Sequence, residues 1–332
     1  MEYAKLKPTD LAVSRVCLGT AFRGEGDEAT CIATIRKAAD LGCTFLDCAN
    51  AYRNGLSEQL VGRAVKGNRD RFVVATKVGA AIDGDRGLSQ RAILRQAEAS
   101  LKRLQTDYID LYLCHFPDPQ TPLEETLLAM DELVRQGKVR HIGCSSFPTW
   151  QLWESLYLSG RAGSAAFVCN QVQYNLLDRR IEDELMPFCA ERNISITVFA
   201  PTAIGLLSGR FRRGQPPPQG TPWALGPYNY QAAMTKRADR IVAALVDIAG
   251  QREKTPIQVT LAWCLARPEI TSVIIGADTP EQAEEDLGAV GWRLSSEETA
   301  RLDKLSDGMR TVIQKDAPGG YKPGEPWPEE NE

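Results

Sequence analysis

Short apolar runs alternate with amphipathic helical segments through most of this chain, and this alternation restricts the fold more than any other feature. Each run is rich in Val, Ile, Leu and Phe, which is typical of strands buried on both faces. Each helical segment repeats apolar residues at a spacing of about 3.6. Eight strands are predicted, centred near residues 17, 45, 74, 111, 141, 168, 197 and 273. Eight strands that alternate with helices predict a parallel sheet closed into a (β/α)8 TIM barrel.

The segments outside the alternation predict where the barrel is capped and where it is open. Residues 1–15 predict an N-terminal β-hairpin, with its turn at Pro8, that caps one end. Residues 202–230 are rich in Gly and Pro and predict a long loop, which in a compact domain is usually functional. Residues 316–332 predict an irregular tail. We expect residues 1–332 to form a single barrel domain with its long loops at the C-terminal rim.

A doubly wound open sheet is the alternative architecture for strands that alternate with helices. Its nucleotide-binding members carry glycine-rich phosphate motifs after a strand. The sequence has no G-x-G-x-x-G after the first strand and no G-x-x-x-x-G-K-[ST] at any position. The barrel is therefore the favoured fold.

The composition excludes several classes of partner. The net charge is −4 with both signs spread along the chain, so no nucleic-acid or membrane-surface binding is predicted. No run of about 18 apolar residues is present, and the first residues lack the apolar stretch of a signal peptide. The nine cysteines include no C-x-x-C pair, and with two histidines they give no metal-ligand spacing. We therefore expect a cytoplasmic protein with free thiols and no metal.

Four polar side chains follow neighbouring strands of the predicted barrel. Asp47, Lys77 and His115 come at or after the ends of the second, third and fourth strands, and Tyr52 lies in the loop after the second. The carboxyl ends of parallel strands share one rim, where α/β barrels carry their chemistry. An ammonium group beside a phenol stabilises the phenolate, which makes a tyrosine usable as a general acid or base. The set suits proton transfer to a carbonyl oxygen, or from a hydroxyl, in step with hydride transfer.

Each of these four residues has an ordinary structural interpretation when taken alone. Asp47 and Lys77 could form a structural ion pair, and His115 could be a satisfied polar group beside the core. Tyr52 could be an ordinary loop residue. Their joint placement at one rim favours the catalytic interpretation. A barrel hydrolase or isomerase with two carboxylates is disfavoured, because no second carboxylate accompanies Asp47 at another strand end.

Four segments of the chain resemble the signature motifs of the aldo-keto reductases. They are residues 41–52, 137–147, 170–175 and 274–282, the first of them extended by Ser57 and Glu58. The resemblance runs from the opening hairpin to about residue 305. It is closest to the branch that contains bacterial general and sugar aldehyde reductases and the potassium-channel β-subunits. It implies a TIM barrel that carries out NADP(H)-dependent oxidoreduction of a small aldehyde, ketone, sugar or alcohol.

The resemblance implies a role for each matched residue. Asp47, Tyr52, Lys77 and His115 match the family's catalytic residues, with Tyr52 as the general acid in reduction. Eight further residues match cofactor-binding positions. They are Ser145 and Gln171 at the nicotinamide carboxamide, Phe199 on the ring, Arg210 near the phosphates, and Gly276, Asp278, Gln282 and Asp286 at the adenosine end.

Departures from the family pattern bear on the cofactor. Ser146 stands where relatives usually have Asn, which shortens one donor to the carboxamide. Asp278 and Thr279 stand where many relatives have Ser and Arg, and Asp286 replaces a usual Asn. Asp278 would repel a 2′-phosphate and could accept a hydrogen bond from a ribose 2′-hydroxyl. The resemblance and Arg210 favour NADP(H), and NAD(H) is the alternative.

A cofactor-binding regulatory subunit, like the potassium-channel β-subunits, is the alternative function. Such a role needs a partner surface. The sequence predicts no exposed apolar helix, because Trp150 and Trp153 are expected to be packing residues of a helix. Trp223 and Tyr228 in the long loop are candidates to wall a substrate pocket. The residues leave open the natural substrate, the reaction direction and the oligomeric state.

Overall fold

The computed structural model describes residues 1–311 apart from Glu25, Asp83 and Pro227, so the predicted tail at residues 316–332 lies outside the described residues. The strands are β1 (Tyr3–Lys5), β2 (Ala12–Ser14), β3 (Val16–Gly19), β4 (Phe45–Asp47), β5 (Val73–Val78), β6 (Ile109–Cys114), β7 (Val139–Ser145), β8 (Phe167–Gln173), β9 (Ser195–Phe199) and β10 (Ile270–Ile275). The helices are α1 (Glu28–Asp40), α2 (Leu56–Val65), α3 (Gln90–Leu104), α4 (Leu123–Arg135), α5 (Thr149–Ala162), α6 (Leu185–Arg192), α7 (Pro222–Leu225), α8 (Tyr230–Ala233), α9 (Lys236–Arg252), α10 (Pro256–Leu265), α11 (Pro280–Leu287) and α12 (Ser296–Ser306). None of the described helices is both long and apolar enough to cross a membrane.

Strands β3 to β10 close into a barrel. Neighbours in the barrel follow the chain order, every pair is parallel, and β10 is hydrogen-bonded to β3. All eight predicted strand centres fall within these strands. Because the strands are apolar on both faces, their outward face needs a second layer, and the helices provide it. The (β/α)8 TIM-barrel prediction is confirmed.

An apolar cluster fills the barrel interior, and the predicted N-terminal hairpin closes the barrel at one end. Leu6 and Val13 of the hairpin are completely buried in this cluster. Since β2 ends just before β3 begins, the hairpin lies at the end where the barrel strands start. The other members of the cluster are Cys17, Phe45, Val73, Ala75, Leu111, Leu113, Val168, Cys169 and Ile274. Because the hairpin closes the end where the strands start, the open rim is the one where the strands end, and a ligand can bind there.

Helix α3 illustrates how the sequence builds the outer layer. Ser89 caps its N-terminus by accepting a hydrogen bond from the N–H of Ala92 at 3.4 Å. Ile93, Leu101 and Leu104 lie on its buried face, as their spacing predicts. Each such side chain contributes about 1.5–3 kcal/mol of burial free energy. This face holds α3 against the barrel.

The segment at residues 202–230 is more ordered than the predicted long loop. It contains a helical turn at Leu206–Ser208 and the helix α7, and it leads into α8. Trp223 is 4% exposed, and its indole Nε1 donates to the carbonyl of Ile204 at 3.0 Å. Trp223 therefore packs into the core, and its proposed place in a pocket wall is wrong. Tyr228 is half-buried against the Trp223 ring, with ring centroids 5.2 Å apart.

Helix α5 exposes aromatic side chains that were expected to pack. Trp150 and Trp153 are 64% and 50% exposed, and Tyr157 stacks on Trp153 at 5.5 Å. The helix covers the barrel with its opposite face, which carries Leu152. Leu128 on the neighbouring helix α4 is also exposed. The expectation that no apolar helix face is exposed is therefore wrong.

Candidate active site

A fully buried lysine lies at the centre of the rim. The ammonium Nζ of Lys77 donates to Oδ2 of Asp47 at 2.6 Å, to the carbonyl of Cys48 at 2.9 Å and to Oη of Tyr52 at 3.2 Å. Burial alone would lower the pKa of Lys77, but the Asp47 carboxylate and the Tyr52 hydroxyl outweigh it and raise the pKa. Lys77 is therefore a permanent ammonium group whose three N–H bonds are all used.

Strand periodicity brings Lys77 and Asp47 together. Val73, Ala75 and Lys77 alternate along β5, and the first two belong to the interior cluster, so Lys77 also points inward, nearer the rim. Phe45 and Asp47 follow the same rule on β4. Asp47 pairs in register with Ala75, one inward position from Lys77. On both β4 and β5, the inward-facing side chains therefore change from apolar to charged at the same height along the barrel axis.

Tyr52 reaches this ion pair from the loop between β4 and α2. The backbone takes positive φ angles at Arg53, Asn54 and Gly55 before α2 begins at Leu56, which turns the chain sharply after the tyrosine. The ammonium of Lys77 lies 4.7 Å from the Tyr52 ring centroid. Tyr52 is half-buried, so its hydroxyl lies between the buried lysine and the open rim.

Ser57 and Glu58, two motif residues that follow Tyr52 in the sequence, form hydrogen bonds with residues of neighbouring elements. The hydroxyl of Ser57 forms a 2.9 Å hydrogen bond with that of Thr20. Glu58 is completely buried, accepts from Thr76 Oγ1 at 2.6 Å and pairs with Arg103 Nε at 2.6 Å. These contacts tie the start of α2 to β5 and α3. They hold the loop that carries Tyr52.

His115 completes the group that the sequence predicts. It follows β6, its backbone N–H donates to Val78, and its ring lies edge-on to Tyr52 with centroids 5.6 Å apart. Burial lowers the pKa of His115 to about 3, and the positive charges of Lys77 and Arg23 act in the same direction. The imidazole is therefore neutral at physiological pH.

Ser145 and Gln171 lie beside the same carboxylate, paired in register on β7 and β8. The amide Nε2 of Gln171 donates to Oδ1 of Asp47 at 2.8 Å, a contact that the sequence does not predict. The Gln171 Oε1 and the Ser145 hydroxyl have no hydrogen-bond partner within the described part of the chain. A carbonyl acceptor and a hydroxyl side by side fit a carboxamide. Phe199, at the end of β9, is half-buried above the interior cluster and presents a flat ring there.

Of the four residues predicted at the adenosine end, Gly276 and Asp278 lie on the connection from β10 to α11, Gln282 lies in the first turn of α11, and Asp286 lies in its last turn. Gly276 follows β10 directly, and the N–H of Asp278 donates to Oε1 of Gln282 at 2.8 Å. Asp278 Oδ2 accepts from the N–H of Gly24 at 3.1 Å, and burial raises the pKa of Asp278. Burial and the neighbouring Glu285 raise the pKa of Asp286 to about 7.

Arg210 makes no hydrogen bond or ion pair with the other predicted site residues. It follows Gly209, is exposed, and its guanidinium makes no hydrogen bond or ion pair with any described residue. The nine cysteines are all buried and free, as expected. The described residues include no group of three or more His, Cys, Asp or Glu that could hold a metal ion.

The loop from β3 to α1 is part of the rim that the sequence analysis missed. Gly24 contacts Asp278, and the Arg23 guanidinium donates to Oη of Tyr228 at 3.4 Å. The signal that points to this loop is a pair of glycines, Gly24 and Gly26, directly after the first barrel strand. Such glycines let backbone approach backbone closely at the end of a strand.

The fold and this rim define the class of protein as an α/β barrel whose open rim carries a tyrosine hydroxyl beside a buried ion pair. Comparisons with known proteins narrow the class. The model of the aldo/keto reductase family matches residues 15–307. The NADH-specific methylglyoxal reductase of Escherichia coli (strain K12) is 32% identical, over 93% of this chain and 99% of the relative. A probable voltage-gated potassium channel subunit beta of Arabidopsis thaliana is also 32% identical, over 87% and 91%.

A solved structure agrees with these relatives. The thermostable aldo-keto reductase Tm1743, in complex with the inhibitor epalrestat, is 32% identical and superposes with a TM-score of 0.76, covering 92% of this chain and 100% of that one. The chain therefore belongs to the aldo/keto reductase family, as the sequence motifs indicate. It is an NAD(P)H-dependent oxidoreductase of carbonyl and alcohol groups.

Proposed function

We propose that the chain reduces a small aldehyde or ketone, with Tyr52 as the proton donor. The observation that carries the proposal is the 3.2 Å contact between the Tyr52 hydroxyl and the Lys77 ammonium. The ammonium stabilises the phenolate that remains after the proton has left. A nicotinamide cofactor, when bound, supplies the hydride in reduction and accepts it in the reverse direction.

The neutral state of His115 separates its role from that of Tyr52. With its pKa lowered to about 3, the imidazole is not a source of protons near neutral pH. A neutral imidazole still has one N–H donor, which orients the carbonyl oxygen beside the tyrosine hydroxyl. Tyr52 therefore delivers the proton, and His115 positions the oxygen that receives it.

Asp47 keeps Lys77 in place through both of its carboxylate oxygens. Oδ2 accepts from Lys77, and Oδ1 accepts from Gln171. An unpaired lysine at this depth would lose its charge, because burial disfavours the ammonium form. Asp47 therefore maintains the charge that stabilises the Tyr52 phenolate.

Three residues are proposed to hold the nicotinamide end of the cofactor. The Ser145 hydroxyl and the Gln171 Oε1 bind the carboxamide, and the Phe199 ring stacks on the pyridine ring. Their support is the register pairing of the first two and the position of Phe199 above the interior cluster. The adenosine end would be received by Gly276, Asp278 and Gln282 around the start of α11 and by Asp286 in its last turn. Arg210 keeps its proposed place near the phosphates.

NAD(H) is proposed as the preferred cofactor, although the sequence resemblance favours NADP(H). Asp278 puts a carboxyl group on the β10–α11 connection and Asp286 puts a second one in the last turn of α11, and burial raises the pKa of both. A dianionic 2′-phosphate would add repulsion there, whereas a ribose 2′-hydroxyl can donate to Asp278. The E. coli relative, described as an NADH-specific methylglyoxal reductase, agrees with this choice.

Turnover assays test the function and the cofactor separately. The purified protein is given NADH or NADPH with a panel of aldehydes, ketones and sugars, and oxidation is followed at the nicotinamide absorbance. We expect turnover with at least one aldehyde and a lower KM for NADH than for NADPH. Binding of both cofactors without turnover of any carbonyl substrate would refute the catalytic proposal. A lower KM for NADPH would refute only the cofactor choice.

A cofactor-binding regulatory subunit is the second candidate, favoured by one observation. Helix α5 exposes Trp150, Trp153 and Tyr157, an apolar face of the kind that partner proteins cover. The similarity to a potassium channel subunit beta from A. thaliana points the same way. Rapid turnover by the isolated protein favours the enzyme. Tight cofactor binding with negligible turnover on the whole panel favours the regulatory role.

A further inference from the structure

Arg23 is a cationic side chain at the rim that the proposed mechanism does not use. It follows β3 by a few residues, and Nη1 donates to the Tyr228 hydroxyl at 3.4 Å. No carboxylate of the described residues lies within ion-pair distance of its guanidinium. Its remaining N–H groups therefore make no ion pair with a described residue, although the Arg23 charge acts at longer range on the Asp278 carboxyl and favours its ionised form.

The residues on either side of Arg23 hold its backbone in place. Phe22 is 2% exposed and has a φ of 45°, so its ring anchors the loop in the core. Gly24 donates to Asp278, and a Cβ on Gly24 would lie 2.6 Å from the Asp278 Oδ2, so a side chain at this position would displace the carboxylate from this contact. Arg23 thus extends from a short segment fixed at both ends.

Tyr228, which accepts a hydrogen bond from the Arg23 guanidinium, is itself held in place by packing. Tyr228 packs on the ring of Trp223, which is buried and hydrogen-bonded to Ile204. The guanidinium is therefore held between the β3–α1 loop and the segment that follows β9. These two segments follow β3 and β9, the two strands that flank β10 in the barrel, so they lie on the same side of the rim as Phe199, the last residue of β9.

Two other cations near this part of the rim, Lys77 and Arg53, are already engaged. Lys77 is paired with Asp47, and Arg53 donates to the carbonyl of Gly26 and to the sulfur of Cys31. Arg23 lies close enough to His115 for its charge to act on the imidazole. A positive charge with unused donors therefore lies within electrostatic range of the imidazole that is proposed to orient the substrate oxygen, as well as of Asp278.

We infer that Arg23 binds an anionic group of the substrate, so that the preferred substrates are aldehydes or ketones bearing a carboxylate or a phosphate. This inference rests on the proposed carbonyl reduction. A guanidinium presents paired N–H donors that match the oxygens of either anion. The Tyr228 hydroxyl holds the guanidinium at the rim, so less side-chain freedom is lost when the anion binds.

Matched pairs of substrates test the inference. The pairs are 4-carboxybenzaldehyde with its methyl ester, and glyceraldehyde 3-phosphate with glyceraldehyde. We expect kcat/KM to favour the anionic member of at least one pair by about tenfold. Arg23→Met should abolish that preference and should change kcat/KM for the neutral member of the pair by no more than about twofold. Arg23→Lys should retain part of the preference. The pair that responds identifies the carboxylate or the phosphate.

The matched control is Arg192→Met, because Arg192 is an exposed arginine at the end of α6, at the closed end of the barrel. Arg192→Met should leave kcat/KM unchanged for all four substrates. An equal loss for anionic and neutral substrates with Arg23→Met, together with weaker NADH and NADPH binding, would overturn the inference and assign Arg23 to the cofactor diphosphate. A wild-type enzyme with no preference for either anion would also overturn it. Absence of turnover on every substrate would instead refute the proposed function on which the inference rests.

Discussion

The two sides of the rim are built differently. Around β4, β5 and β8, the side chains of Asp47, Lys77 and Gln171 are almost completely buried and hydrogen-bonded to one another. On the other side, Asp278 on the β10–α11 connection and Asp286 in the last turn of α11 are only half-buried. Asp278 accepts from the N–H of Gly24 and, through its carbonyl, from the Thr34 hydroxyl. Buried polar groups must be satisfied within the protein, so the first side is preorganised. The second side is less buried and less densely hydrogen-bonded to the rest of the rim, so we expect it to be the more adjustable of the two.

Tyr52→Phe should give the largest effect, because it removes the proton donor of the preorganised side. We expect kcat for carbonyl reduction to fall by about 10²–10⁴-fold, while the Kd of the reduced cofactor, measured by fluorescence titration, stays unchanged. Tyr108→Phe is the matched control, since Tyr108 precedes β6 at the closed end and bonds Asp70. If Tyr52→Phe turns over carbonyl substrates as fast as Tyr108→Phe does, Tyr52 is not the proton donor.

The difference between the two sides also explains what could be predicted from the sequence. Lys77 and Asp47 follow short apolar runs, and strand periodicity and parallel pairing then bring them to one level of the barrel. The contact between Gly24 and Asp278 joins residues 254 positions apart, and neither loop carries a periodic pattern. Trp150 and Trp153 show a related limit. Helical spacing locates an apolar stripe, but it does not show whether the stripe faces the barrel or the solvent.

Glu58→Gln should destabilise the preorganised side. The buried Glu58 pairs with Arg103 and accepts from Thr76, so the substitution leaves a guanidinium in the interior without its counter-charge. We expect a loss of about 3 kcal/mol in the free energy of unfolding, measured by urea denaturation. Glu284→Gln breaks the exposed pair with Lys37 between α1 and α11 and should cost less than about 1 kcal/mol. Equal losses would show that the two sides do not differ in this way.

Asp286→Asn should change the pH dependence of stability on the adjustable side. The folded state holds the proton of Asp286 up to a pKa of about 7, whereas the unfolded chain releases it near the ordinary value of 3.8. Wild-type stability is therefore lowered progressively as the pH rises through this window. We expect Asp286→Asn to match wild type at about pH 4 and to exceed it by about 1–3 kcal/mol at about pH 8. A difference in unfolding free energy that is the same at both pH values would contradict the assignment.

Asp278→Asn gives the smallest expected effect, and it tests how the adjustable side selects the cofactor. The substitution removes the negative charge but keeps a side-chain oxygen that can accept from the N–H of Gly24. The ratio of kcat/KM with NADPH to kcat/KM with NADH should rise by about tenfold, because the 2′-phosphate no longer meets a carboxylate in a partly desolvated site. Thr279→Arg should raise the ratio further by adding a donor for the phosphate.

Two further variants separate charge from loop geometry at this position. Asp278→Ser removes both the charge and the long side chain that reaches Gly24, so it also releases the β3–α1 loop. Glu281→Gln removes one charge from the exposed first turn of α11 and should leave the cofactor ratio unchanged. If Asp278→Ser shifts the ratio and Asp278→Asn does not, the loop contact selects the cofactor and repulsion does not. In that case the β10–α11 side selects between NADH and NADPH through the shape of the loop, whereas the Lys77 side acts through charge, and the two sides of the rim differ more than their burial alone indicates.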